Sequence, residues 1–136
     1  MVLFARLHIE GHPKENEGLA LLSCSFSFDQ DIDARGLPIS SVRGGVIHIS
    51  MVSVDDPDIM NWMFMSEADK NGKIVFASTE TTSPFKTVEF TSGRLIHYDE
   101  SFSRENEMVM TLTISSRQIS ISGAEHENIW TGYDTE

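Results

Sequence analysis

A single cysteine, Cys24, in a chain of 136 residues rules out an internal disulfide. Cys24 alternates in phase with Leu22, Phe26 and Phe28, which reads as a buried thiol packed on a strand face rather than a reactive one. Basic residues are scarce as well: ten Lys and Arg stand against 21 Asp and Glu, a formal charge of −11. Such a surface repels phosphate backbones and anionic headgroups, so nucleic acid is not an expected partner. No apolar run approaches membrane-spanning length, and membrane insertion is not expected either. The opening run of residues 1–6 meets a charge at Arg6 too soon for a signal peptide. The expectation is a protein made in the cytoplasm without a Sec-type address, so that a machine must carry it if it leaves the cell.

Motifs of catalysis are missing too. There is no G-x-S-x-G, no Walker loop and no Rossmann glycine pattern. Asp29, Asp31 and Asp33 fit positions 1, 3 and 5 of a calcium loop, but Ala34 and Ser40 stand where Gly and Glu are needed. His126-Glu127 opens like a zinc-protease helix, yet Trp130 occupies the place of the second histidine. Ser83 and Lys86 match S-x-x-K only by letter, because Pro84 denies them a shared helical turn. His8, His12, His48 and His97 are scattered without ligand spacing and read as surface or strand-face residues. The expectation is no catalytic residue, no metal and no cofactor.

What the chain does contain is alternation. Its length allows roughly two thirds of the unfolded surface to be hidden, and its hydrophobic fraction of 40% and charged fraction of 23% suit one globular domain spanning 1–136. Leu3, Ala5, Leu7 and Ile9 alternate with polar residues, as do 19–28 and the set Ile47, Ile49 and Met51. Asn71-Gly72 reads as a turn opening a strand over 73–78. Val88, Phe90, Ile96 and Tyr98 share one parity, which favours a single long strand over 87–98, bulged near Gly93, over a hairpin turning there. Met108, Met110, Leu112 and Ile114 alternate, and Ile119 and Ile121 resume in the opposite phase, implying two strands or one that bends. A helix over 57–66 is signalled by Asp56 as N-cap, Pro57 at the first position and Ile59, Trp62 and Met63 on one face. The fold class is α+β, mainly β: an antiparallel β-barrel with one short α-helix and an extended loop.

That loop covers 30–45, long enough to be functional. Ile32, Leu37, Ile39 and Val42 give it too much apolar surface for a solvated tail. It either folds back over its own barrel or buries those residues on another copy, with Arg35 and Arg43 available to pair with a neighbour's carboxylates.

Nearly the whole chain resembles the type VI secretion system tube protein, the haemolysin-coregulated protein family, in its Bacteroidetes variety. The similarity is carried by L-x-C-S-x-S-F at 22–28, Asp33-x-x-Gly36-x-Pro38, Val42-x-Gly44-Gly45, Trp62-Met63, T-I-S-x-x-x-I-S at 113–120 and the closing G-x-E-H-E-N-x-W at 123–130. The resemblance implies a barrel protomer closing into a homo-hexameric ring, with rings stacked into the inner tube of a contractile machine. That tube would be propelled out of the cell, with sheath, tip and baseplate components and effector proteins as partners. Within such an assembly, Glu125, His126, Glu127 and Trp130 read as a possible subunit contact, with His126 and its flanking carboxylates making hydrogen bonds or ion pairs there. From another class, a monomeric barrel binding a small ligand inside is the alternative.

Overall fold

A computed structural model of the chain describes residues 2–40, 42–81 and 83–128. Its elements follow as β1 (Leu3–Ile9), β2 (Leu19–Ala20), β3 (Ser23–Asp29), β4 (Arg43–Val52), α1 (Pro57–Phe64), β5 (Lys70–Ser78), β6 (Pro84–Ser103), β7 (Asn106–Ile121) and β8 (Ala124–Glu127). Every pairing is antiparallel. The strands lie in the order β2-β1-β5-β6-β7-β4-β3, and β8 is added on β7. The mainly β class with one short helix is as expected.

The closed barrel needs a correction, since the ladder is an open path with β2 and β3 at its ends. The run 19–28, which alternates as if it were one strand, changes partner halfway. Leu21 N–H donates to Ala5 O on β1 (3.0 Å), and the next residue's, Leu22 N–H, donates to Ser50 O on β4 (2.8 Å). Consecutive residues thus address opposite edges, and the sheet wraps its core without a continuous ring of pairing.

The inner face is filled. Leu7, Ile47, Ile74, Val88, Leu112 and Ile114 have no exposed surface, and Ile49, Met51, Phe90 and Met110 keep only 1%. An interior packed in this way leaves no room for a ligand inside, so the alternative of a ligand-binding barrel is not favoured. A concavity of about 500 Å³ lies instead beside the outward-facing residues His8, Lys73, Glu89 and Thr91 of β1, β5 and β6.

The 20-residue β6 is one strand, as the shared parity suggested. Against β5 its register slips between Lys70 and Gly72, where Ser92 adopts φ 56°. Buried positions move from Val88 and Phe90 to Leu95 across this kink. In β7 they move from Ile114 to Ile119, so the phase reversal belongs to one bent strand. The Asn71-Gly72 turn is a second correction. Both residues lie inside β5, and Asn71 serves the kink: its Oδ1 accepts the Ser92 N–H at 2.9 Å and its Nδ2 donates to Glu10 Oε1 at 3.0 Å. A Cβ on Gly93 would lie 2.7 Å from the Phe90 ring. The backbone therefore comes close enough for Trp62 Nε1–H to donate to Gly93 O at 3.1 Å.

Helix α1 begins as the sequence indicates and ends two residues earlier, at Phe64. Asp56 Oδ1 accepts the N–H groups of Asp58 (3.0 Å) and Ile59 (3.2 Å), while its Oδ2 lies 2.7 Å from His12 Nε2. Lys14 N–H donates to His12 Nδ1 at 2.9 Å, so Nε2 carries the hydrogen and donates to the carboxylate. With its side chain 6% exposed, His12 is not the surface residue expected. It ties the turn after β1 to the helix cap.

Candidate assembly surface: an apolar hairpin and its stem

The segment between β3 and β4 is itself folded. Ile32 and Pro38 form an antiparallel bridge. Ile39 N–H donates to Asp31 O (2.8 Å), Asp33 N–H to Leu37 O (2.9 Å) and Gly36 N–H to Asp33 O (3.0 Å). Asp33 and Gly36 thus sit at the first and last places of a four-residue turn, where those residue types are favoured. The Asp33 carboxylate closes the turn, its Oδ1 accepting from Arg35 N–H (2.8 Å) and Leu37 N–H (3.1 Å). Hydrogen bonds from Leu37 first, then Arg35, hold this carboxyl below the usual aspartate range.

The cations expected to reach a neighbour have partners at home. Arg43 Nη2 lies 2.6 Å from Asp31 Oδ2 and Arg35 Nη2 lies 3.3 Å from Asp33 Oδ2. Both pairs are at the surface, where such contacts are worth about 0–1 kcal/mol, so exchange for a better partner is cheap.

The apolar residues have no such shelter. Ile32 is 61% exposed, Ile39 64%, Leu37 52% and Val42 39%. A lid over the protein's own sheet would bury them, so that reading of the loop is overturned. Full burial of an aliphatic side chain is worth about 1.5–3 kcal/mol. Four such side chains therefore stand in water on and beside the hairpin.

The stem of the hairpin joins the two residue groups that the sequence singled out separately. Gly44 has φ 146°, and a Cβ there would lie 2.3 Å from Ser27 O, so the bulge between β3 and β4 at Ser27/Phe28 requires glycine. Asn128, just beyond β8, donates through Nδ2 to Gly44 O (2.8 Å) and to Ser116 O (3.0 Å). Its Oδ1 faces His126 Nε2 at 2.9 Å, so that nitrogen is the donor. The His126 ring meets Phe28 edge-on, centroids 5.4 Å apart. Glu127 accepts from Arg117 Nη1 (2.6 Å) and Glu125 from Gln118 Nε2 (3.2 Å), both across the β7–β8 pair. Glu125, His126 and Glu127 therefore bond within the chain, and Trp130 lies outside the described residues. The clamping role of Asn128 was missed, because a single polar residue after a strand carries no signal of its long-range partner.

Cys24 is half-buried, and burial pushes its thiol up to about 11. That fits packing against the core. Among the described residues, His12, Asp56 and Asp58 bring ligand-type atoms within 4.8 Å of one another. Asp56 Oδ1 caps the helix, Asp56 Oδ2 meets His12 Nε2, and His12 Nδ1 accepts from Lys14 N–H, so each of these atoms already has a partner within the chain. No helix among the described residues is long and apolar enough to cross a membrane.

A filled interior and an ordered hairpin offering apolar side chains to solvent define a building block of an assembly. The model of the hemolysin coregulated protein Hcp (TssD) family matches residues 1–131, and the chain belongs to that family of structural proteins. It is a tube subunit of a type VI secretion system. Hcp1 from Flavobacterium johnsoniae is 28% identical, with 92% of this chain and 99% of that chain covered and a TM-score of 0.82. Hcp1 from Salmonella typhimurium shares the fold at 17% identity, 89% and 86% coverage and a TM-score of 0.70. A chain of the six-fold symmetrised baseplate of the anti-feeding prophage shares it at 12% identity, 90% and 93% coverage and a TM-score of 0.55. None of the curated proteins compared with the chain matches it.

Proposed function

We propose that this chain, as a single domain, closes into homo-hexameric rings assembled in the cytoplasm. The rings stack into the inner tube of the secretion machine and leave the cell when its sheath contracts. Sheath, tip and baseplate components and effector proteins are its partners, and the subunit performs no catalysis. The observation that carries the reading is the ordered 30–40 hairpin with Ile32, Leu37 and Ile39 in solvent, and Val42 exposed beside β4. A subunit repeated along an axis needs a heterologous contact, in which one feature meets a different surface on the next copy. The hairpin supplies that feature, with its apolar residues as the main adhesive. Arg35 and Arg43 set the register, weakly at high salt.

The ring seam falls elsewhere. Among the described residues β8 pairs only with β7, which leaves its outer edge, at Glu125, His126 and Glu127, for a neighbouring subunit. Negative-stain electron microscopy of the purified protein tests the whole. Rings of six that lengthen into tubes with concentration support it. A monodisperse monomer at all concentrations contradicts it.

A further inference from the structure

The end of the sheet opposite the hairpin has its own exposed apolar surface. The register of β4 on β7 runs from Val46↔Ser115 to Val52↔Val109, so the 30–40 hairpin and the β6–β7 turn lie at opposite ends of the same strands. At about 3.3 Å per residue, the ten residues of β4 hold these ends about 30 Å apart. Beyond Val52 the sheet continues as a ribbon: Ser53 N–H donates to Met108 O at 2.8 Å, Ser53 Oγ donates to Glu100 Oε2, and Ser103 pairs with Asn106 at the tip.

The core-facing side of the sheet does not stop where the core stops. Met51 and Met110 are register partners and both 1% exposed. Met108 comes next on that face of β7, and Phe102 follows the Ser101↔Val109 pair on β6, at the point where the register shifts before Ser103↔Asn106. Met108 is 41% exposed and Phe102 73%. An apolar stripe that leaves the core and remains uncovered marks a surface that something else covers.

We propose that Phe102 and Met108 receive the 30–40 hairpin of a second copy of this chain, so that Ile39 and Leu37 of one ring seat on the β6–β7 ribbon of the next. The inference rests on the stacking function above and names its other half. Three features fit this occupant. The surfaces lie at opposite ends of the subunit, as a head-to-tail repeat requires. Both are apolar and both are held in place by backbone ladders, so little order is lost on contact. Their charges also suit each other. Residues 99–108 carry Asp99, Glu100, Glu105 and Glu107 against Arg104 alone, whereas residues 30–43 balance Asp31 and Asp33 with Arg35 and Arg43. In a chain of formal charge −11, an acidic ribbon meets least repulsion at this neutral end, where the exposed guanidiniums of Arg35 and Arg43 can turn toward Glu105 and Glu107.

The test compares Phe102→Asp with Ile39→Asp by electron microscopy, and adds a cross-linking variant. Loss of tubes with rings intact in both substitutions supports the proposal. Tubes lost with Ile39→Asp but normal with Phe102→Asp overturn the acceptor and leave the hairpin's role standing. Monomers with Phe102→Asp move the ribbon to the ring seam and also overturn it. Normal tubes with Ile39→Asp remove the stacking function itself. Independently, a Cys24→Ser chain carrying both Ile39→Cys and Phe102→Cys should give an oxidised ladder extending past dimer on a non-reducing gel, absent from each single-cysteine chain. No ladder from assembled tubes contradicts the contact.

Discussion

The core and the 30–40 hairpin are made of the same side chains in opposite circumstances. Ile47, Ile49 and Ile114 have at most 1% of their surface exposed, whereas Ile32 and Ile39 keep more than 60%. Both regions are ordered by backbone pairing, so lack of structure does not explain the difference. Core isoleucines hold the subunit together. Hairpin isoleucines stay outside because the turn closed by Asp33 and the glycine bulge at the stem hold them there, available to a neighbour. Changes in one region should therefore move stability, and changes in the other should move assembly.

The largest stability effect belongs to Trp62, 2% exposed and bonded to Gly93 O. Trp62→Ala should remove about 3–5 kcal/mol, read by chemical denaturation. A loss below about 1 kcal/mol would mean that the indole does not anchor the helix to the sheet. The stem, which joins the regions, should give an intermediate value. Asn128→Ala leaves Gly44 O and Ser116 O without their side-chain donor, at about 1–3 kcal/mol. It should also weaken tube formation more than that loss alone accounts for, because the hairpin is re-aimed. Tubes as abundant as in the parent protein would separate the stem from the hairpin's function.

The smallest effect is local and follows pH. The folded Asp33 carboxyl is lowered, so its contribution to hairpin order is present above the unfolded value of about 3.9 and is lost as pH falls through the lowered folded value. Amide protons of Arg35 and Leu37 should lose protection on that acid limb while those of Ile47 and Leu112 keep theirs. Equal loss in both regions would erase the distinction between them.

Much of this contrast is legible in the residue pattern. The helix is marked by local chemistry at Asp56 and Pro57, the long β6 by alternation on both sides of its kink at Ser92, and the bent β7 by the phase reversal between Ile114 and Ile119. The exposed apolar set in the loop is visible because no alternation places it in a strand. Features set by contacts between distant residues are not legible. Asn71-Gly72 is a turn signal, yet tertiary pairing placed it inside β5, where Asn71 serves the kink at Ser92. The hand-over at Leu21 and Leu22 keeps strand alternation and so conceals that the ladder is open. His12 reveals its role only through Asp56, 44 residues away, and Asn128 only through Gly44, 84 residues away.

The division between core and hairpin is tested most directly by Ile39→Asp, followed by sedimentation velocity and by thermal unfolding of the same preparation. The substitution should leave stability within about 0.5 kcal/mol, as for exposed positions generally, and should leave single hexameric rings sedimenting where the parent protein forms longer tubes. A collapse to monomers, a large loss of stability, or tubes indistinguishable from the parent's would contradict it.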